Sequence, residues 1–192
     1  MKSKKEIRKE ILDSRKALPK DEVIKRSNKI RDRLLNFEGF ITSKYVMLYM
    51  DFANEVMTDA IIEYCLKCDK IVALPLIKSS GGRKKIDAYQ PKDYALALRP
   101  GTYGILEPVK QLSLKIEPDK IDMVLTPGVA FDLKGSRIGY GAGYYDFFFQ
   151  QTRDNCFKLG LAFELQIVHS IPKEEHDVSM DAIITEDRSI LF

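Results

Sequence analysis

The chain has only three cysteines, Cys65, Cys68 and Cys156, and an odd, sparse set of this kind argues against a disulfide framework. Cys65-x-x-Cys68 lacks the second ligand pair of a zinc site and falls late in a helical pattern, so it reads as structural or incidental. No run approaches the roughly 18 apolar residues of a membrane span. The basic N-terminal stretch has no apolar core of the signal-peptide type, so a cytoplasmic protein with no membrane partner is expected. Strong charge of either sign is lacking as well. A net charge of +3 falls short of the basic stripe of a nucleic-acid binder, although it favours anionic small molecules. Internal repeats and long linkers are missing. At 192 residues with 45% hydrophobic content, the expectation is one core and one domain spanning 1–192, acting as a monomer.

What is present alternates between helical and strand patterns. Ser3-Lys4-Lys5-Glu6 has the form of a capping box and opens a helix that runs to Leu18, where Pro19 stops it. Asp21 is placed to cap a second helix reaching about Phe37. Tyr45–Met50, Ile71–Leu74, Met123–Thr126, Lys158–Ala162 and Ala182–Thr185 read as buried strands. Thr58–Lys67 and a stretch from about Gly143 to Gln151 read as helices, and Ser79–Lys85 (SSGGRKK) as a mobile surface loop. Helices between short apolar strands predict an α/β fold: a single three-layer domain with a mostly parallel central sheet flanked by helices.

The most informative segment is Thr126–Asp146, TPGVAFDLKGSRIGYGAGYYD. Gly135, Gly139, Gly141 and Gly143 lack Cβ atoms and permit φ > 0, so successive N–H groups can turn inward around an anion. On the residues alone the loop fits either a set of tight turns or a phosphate cradle. Two phosphate templates fail. The dinucleotide fingerprint G-x-G-x-x-G would need glycine at Tyr144, and no Gly-Lys-Ser/Thr follows to complete a Walker A loop. Arg137 adds a fixed charge, and Asp146 is a hard oxygen ligand of the type magnesium takes.

The first helix carries a second signal. At about 100° per residue, Lys4, Arg8 and Arg15 fall within roughly 40° of one another, beside the apolar row Ile7, Ile11 and Leu18. Such a stripe is either a solvated basic face or is drawn into the protein, where cations need phosphate or carboxylate partners.

The order of the segment resembles the 5-formyltetrahydrofolate cyclo-ligase family, also called methenyltetrahydrofolate synthetases. Its signature, P-G-x-A-F-D-x-x-G-x-R-L/I-G-x-G-x-G-Y-Y-D, is followed from Pro127 through Asp146. Lys4, Arg8 and Arg15, the segment Asn54–Thr58, the turn Gly101–Pro108 and His176-Asp177 extend the resemblance over almost the whole chain. Two positions depart from the pattern: Ala142 replaces a frequent glycine, and Phe147 replaces the basic residue that commonly follows Tyr-Tyr-Asp.

The resemblance implies a reaction and its parts. ATP activates the N5-formyl group of 5-formyltetrahydrofolate: the formyl oxygen attacks the γ-phosphorus, N10 attacks the activated carbon, and phosphate departs to leave 5,10-methenyltetrahydrofolate. Lys4, Arg8 and Arg137 are then the catalytic cations. ATP is bound by these three with Ile138, Gly139, Tyr140, Gly141, Ala142, Gly143, Tyr144 and Tyr145, and Mg²⁺ by Asp146 and Asp177. Folate is assigned to Met50, Glu55, Tyr103, Tyr140, Gly141, Ala142, Gly143 and Tyr144. Arg15 is read as an internal ion-pair partner, Glu107 as a weaker substrate contact, and Lys84, Lys85 and Lys92 as lysines that meet the glutamate tail or stay solvated. His169 and His176 are assigned no catalytic part. Two other readings stand beside this one: a relative that keeps the ATP site but acts on a different substrate, and a non-catalytic nucleotide-binding module.

Overall fold

The structure is a computed structural model that describes residues 2–80 and 83–192, without the side chains of residues 79, 80, 83, 84 and 103. The helices are α1 (Lys4–Lys16), α2 (Lys20–Leu35), α3 (Glu38–Thr42), α4 (Asp59–Lys67) and α5 (Tyr144–Phe149). The strands are β1 (Tyr45–Met47), β2 (Ile71–Ser80), β3 (Arg83–Pro91), β4 (Leu98–Pro100), β5 (Leu106–Pro108), β6 (Ser113–Ile116) and β7 (Met123–Thr126), then β8 (Ala130–Asp132), β9 (Arg137–Ile138), β10 (Phe157–Leu161), β11 (Ile167–Val168), β12 (Ala182–Ile184) and β13 (Ser189–Leu191).

Eight strands form the central sheet in the order β13-β12-β10-β7-β1-β2-β3-β6. The strands from β12 to β2 pair in parallel, whereas β13 on one edge and β3 and β6 on the other are antiparallel. Side chains alternate across this sheet as a strand's period of two requires. Val46, Leu48, Met123, Leu125, Leu159, Leu161, Ala182 and Ile184 enter the core beneath α2, α3 and α4. Met47, Val124 and Ile183 enter the opposite core, which α5 closes with Phe148 and Phe149. The expected layered α/β arrangement is therefore present, with α1 as an additional element. Ile7 and Ile11 of α1 pack on Val129 and on Ala130 and Ile138 of a small sheet ordered β11-β8-β9, which leads into the glycine loop.

The local signals in the sequence are met unevenly. Ser3 and Glu6 form the reciprocal capping box that starts α1. Pro19, not Asp21, is the N-cap of α2, and Asp21 lies inside its first turn, where a carboxylate complements the helix dipole without capping. The strand expected over 45–50 ends at Met47, and Tyr49 and Met50 continue as loop. The segment 79–85, expected to be a mobile loop, instead prolongs two paired strands: Lys78 faces Lys85 in the β2–β3 register, and Gly81 and Gly82 lie outside the described residues. Pairing of the two strands with each other overrides the local Ser/Gly/Lys composition there.

Among the five parallel strands the chain order is β1, β2, β7, β10, β12, but the spatial order is β2-β1-β7-β10-β12. The chain reverses direction across the sheet between β1 and β7. In open α/β sheets the crevice beyond the C-terminal ends of the strands at such a switch point is where ligands bind.

Candidate active site

A cavity of about 680 Å³ opens at this switch point. Its floor comes from Tyr49 and Met50 after β1 and from Pro127 after β7. Lys4, Arg8, Met50, Glu55, Arg137 to Asp146 and Asp177 all line it, so residues dispersed over most of the chain converge on one space. Tyr103 sits in the short 3-10 turn Thr102–Gly104, and its side chain lies outside the described residues.

The basic stripe of α1 does turn inward. Arg8 donates from Nε to the carbonyl of Gly139 at 2.9 Å, which ties the helix to the glycine loop. Lys4 places its ammonium 2.6 Å from Asp177 and 3.2 Å from Glu174. Burial opposes the charge on Lys4, but the two carboxylates outweigh it and raise its pKa. Asp177 moves the opposite way, because the hydrogen bonds from Lys4 and the Glu174 amide prevail over burial and lower its pKa.

Arg137 comes from β9 and is 9% exposed. Its guanidinium donates to Asp146 at 3.0 Å and lies over the ring of Tyr145, 5.6 Å from the centroid, while its buried Nε has no partner. Asp146 also accepts from the amide of Val178 at 3.3 Å, which joins the start of α5 to the segment carrying Asp177. Gly143 precedes α5 at φ +67°, a left-handed conformation that glycine adopts without penalty. Gly141, at φ +103°, lies against the Arg8 guanidinium.

This end of the cavity gathers cationic side chains and carboxylates. Lys4, Arg8 and Arg137 are each held by an oxygen acceptor, and Arg137 keeps an unused buried donor. Glu174, His176 and Asp177 present ligand atoms within 4.8 Å of one another, a donor set that suits a divalent cation. Asp146 is not in that group and pairs with Arg137 instead.

The other end is apolar. Ile77 and Ile86, opposite each other in the β2–β3 pairing, form a wall with Pro75, Ile105 and Leu106. The sequence held no periodic signal for this wall, because it arises from the pairing of β2 with β3. Glu107 lines the same region and accepts from the Thr102 amide at 3.0 Å. Lys85 and Lys92 do not line the cavity, and the Lys84 side chain lies outside the described residues.

Glu55 sits between the two ends and is 4% exposed. It accepts from the Tyr140 hydroxyl at 3.1 Å and from the Phe52 amide at 3.3 Å, with Arg15 at 3.9 Å. Burial pushes its pKa up to about 7, and Arg15, the Phe52 amide and Tyr140 only partly counter that. The ring of Tyr140 packs against Phe52 with centroids 5.0 Å apart. Arg15, read from the sequence as an internal partner, is indeed buried.

Fold and site together define an α/β enzyme with its cavity at the switch point of a mostly parallel sheet. The chain belongs to the 5-formyltetrahydrofolate cyclo-ligase family, which it matches over residues 1–186, and it is an enzyme of the ligase class. It is 32% identical to the probable 5-formyltetrahydrofolate cyclo-ligase of Caenorhabditis elegans, covering 98% of this chain and 97% of that one. It is also 32% identical to the 5-formyltetrahydrofolate cyclo-ligase of Saccharomyces cerevisiae, covering 99% and 98%. The NMR structure of Aquifex aeolicus 5,10-methenyltetrahydrofolate synthetase superposes with a TM-score of 0.84 at 32% identity, covering 98% of this chain and 92% of that one.

Proposed function

We propose that the chain converts 5-formyltetrahydrofolate to 5,10-methenyltetrahydrofolate with consumption of ATP and Mg²⁺ and release of ADP and phosphate. The observation that carries this reading is the convergence of Lys4, Arg8, Arg137 and the glycine loop at one end of a cavity whose other end is apolar and borders Glu55. An amide-like formyl oxygen is a poor leaving group, and its phosphorylation turns it into phosphate. Lys4, Arg8 and Arg137 neutralise the charge of the transferring phosphoryl group and hold it in line with the formyl oxygen. Once the formyl oxygen–phosphorus bond has formed and ADP has separated, N10 attacks the activated carbon and phosphate leaves.

Asp146 and Asp177, with Glu174 and His176 beside the latter, are the residues that would hold Mg²⁺, which supplies charge neutralisation on the phosphates. Both aspartates are now paired with cations, so binding of phosphates and metal exchanges partners without stranding a charge. Met50, Tyr140 and Tyr144 border the folate end, with Tyr103 assigned there from the resemblance, and Glu55 accepts hydrogen bonds from pterin nitrogens. The apolar wall keeps water from the activated carbon. In this reading the chain works as one domain and as a monomer, in the cytoplasm, on two small molecules; no described helix is long and apolar enough to cross a membrane.

The test is the appearance of methenyltetrahydrofolate absorbance from 5-formyltetrahydrofolate, with ATP or metal left out in turn. Conversion is expected only when both are present. Equal conversion without ATP would overturn the ligase mechanism, and ATP binding without folate turnover would point to a relative with another substrate.

A further inference from the structure

Arg15 is the largest fully buried side chain among the described residues, and neither the reaction chemistry nor the cavity lining uses it. A buried guanidinium needs acceptors in the fixed directions of its fork. Arg15 finds them on three separate segments. Its Nε donates to the carbonyl of Ala53 at 3.1 Å, one terminal nitrogen donates to the carbonyl of Gly128 at 3.3 Å, and the other donates to the hydroxyl of Tyr140. That hydroxyl in turn donates to Glu55, so Arg15, Tyr140 and Glu55 form a continuous chain of hydrogen bonds. The guanidinium also faces the Tyr140 ring, 5.7 Å from its centroid.

These contacts fall on both halves of the site. Tyr140 belongs to the glycine loop, and Ala53 and Glu55 belong to the loop after β1. Ala53 has φ +48°, a conformation an alanine keeps only where its surroundings impose it, and the Arg15 bond to its carbonyl is such an imposition.

We propose that Arg15 is a positioning residue that links the nucleotide and folate halves of the site, so that a ligand ordering either loop also orders the other. Two ligands that share one ordering step bind with positive coupling. The inference rests on the functional reading above and adds to it a residue outside the substrate contacts.

The test is a set of binding titrations of 5-formyltetrahydrofolate, with and without a saturating non-hydrolysable ATP analogue and Mg²⁺, on the full chain and on Tyr140→Phe and Arg15→Lys. The wild-type chain should bind folate about tenfold more tightly when the nucleotide site is filled, within the usual range for coupled sites. Tyr140→Phe, which deletes one hydroxyl, should cut that gain to less than about twofold; because Tyr140 also lines the cavity, each ligand's own affinity is measured separately and only the ratio of folate affinities with and without the nucleotide is compared. Arg15→Lys keeps the charge without the fork, and should lose the coupling as well. A role in stability alone would lower the melting temperature or the active fraction of the variants and leave the coupling of the folded molecules untouched. Coupling absent from the wild type, or unchanged in Tyr140→Phe, would overturn the inference. A wild-type chain that bound neither ligand would remove the functional reading and this inference with it.

Discussion

Lys4 and Asp177 are 173 positions apart in the chain, and their side chains meet at 2.6 Å on the wall of the cavity. The pair closes the site between the first helix and the segment before β12, and it keeps the cation proposed to meet the phosphates beside a carboxylate proposed to hold the metal. Lys4→Ala removes a charge-assisted contact of the kind worth roughly 1.5–3 kcal/mol. ATP use should weaken by roughly 10- to 150-fold, with folate affinity nearly unchanged, and Arg8→Ala should behave alike. Isothermal titration with the ATP analogue and separately with 5-formyltetrahydrofolate measures both. A loss confined to folate would show that the two ends of the cavity have been assigned the wrong way round.

Asp146 has a second partner to consider, because its carboxylate is also the counterion of Arg137. Asp146→Asn preserves shape and can still accept from the Val178 amide, so the fold should persist with a melting temperature lower by a few degrees. Activity should fall more than tenfold, since the charge that would hold Mg²⁺ is gone. Circular dichroism melts and a magnesium titration of the rate separate the two effects. A wild-type rate at saturating magnesium would leave Asp146 the single task of orienting Arg137.

Glu55 gives the site a pH dependence with a definite sign. Its folded pKa of about 7 lies above its ordinary value of 4.5. Between those values the native state holds a proton that the unfolded chain has released, so stability from this group is complete below about pH 4.5 and is lost as pH rises to about 7. From pH 5.5 to pH 8 the loss is on the order of 2 kcal/mol. Urea unfolding at these two pH values should show it for the wild type and not for Glu55→Gln. Folate affinity should run the other way and improve as the carboxylate ionises. Equal pH slopes in the two proteins would mean that Glu55 does not titrate in this range.

How far the sequence could be read depended on whether the cause of a feature was local. The Ser3–Glu6 capping box and the strand Met123–Thr126 each follow from spacing within a few residues, and the structure has them; spacing left the α1 cations either solvated or turned inward, and Lys4 and Arg8 line the cavity. The glycine loop was legible as a unit because its residues are contiguous. The apolar wall was not, since Ile77 and Ile86 become neighbours only when β2 pairs with β3. The same pairing converts the Ser/Gly/Lys-rich stretch from an apparent loop into strand. Arg15 was visible as one of a stripe, but its link to Ala53, Gly128 and Tyr140 depends on three segments meeting, which no spacing along one helix encodes.

The seating of the small sheet on the large one offers a final prediction. Phe131 of β8 lies against bare backbone at Gly160 of β10, where an added Cβ would come within 2.8 Å of the Phe131 ring and 3.3 Å of Ile183. Neither neighbour is a flexible side-chain end, because Phe131 and Ile183 are both fully buried. Gly160→Ala should therefore overpack the joint and cost about 1–3 kcal/mol, lowering the melting temperature by roughly 2–12 °C for a chain of this size. Phe131 follows Gly128 and Ala130 in the segment that carries the signature into the cavity, so a displaced Phe131 should also shift Arg137, its partner in the β8–β9 pairing. The variant should lose activity at temperatures where it is still fully folded. Phe131→Leu in the same background relieves the clash and should recover part of both losses. A Gly160→Ala protein with wild-type melting and wild-type rate would show that the two sheets slide past each other freely at this point.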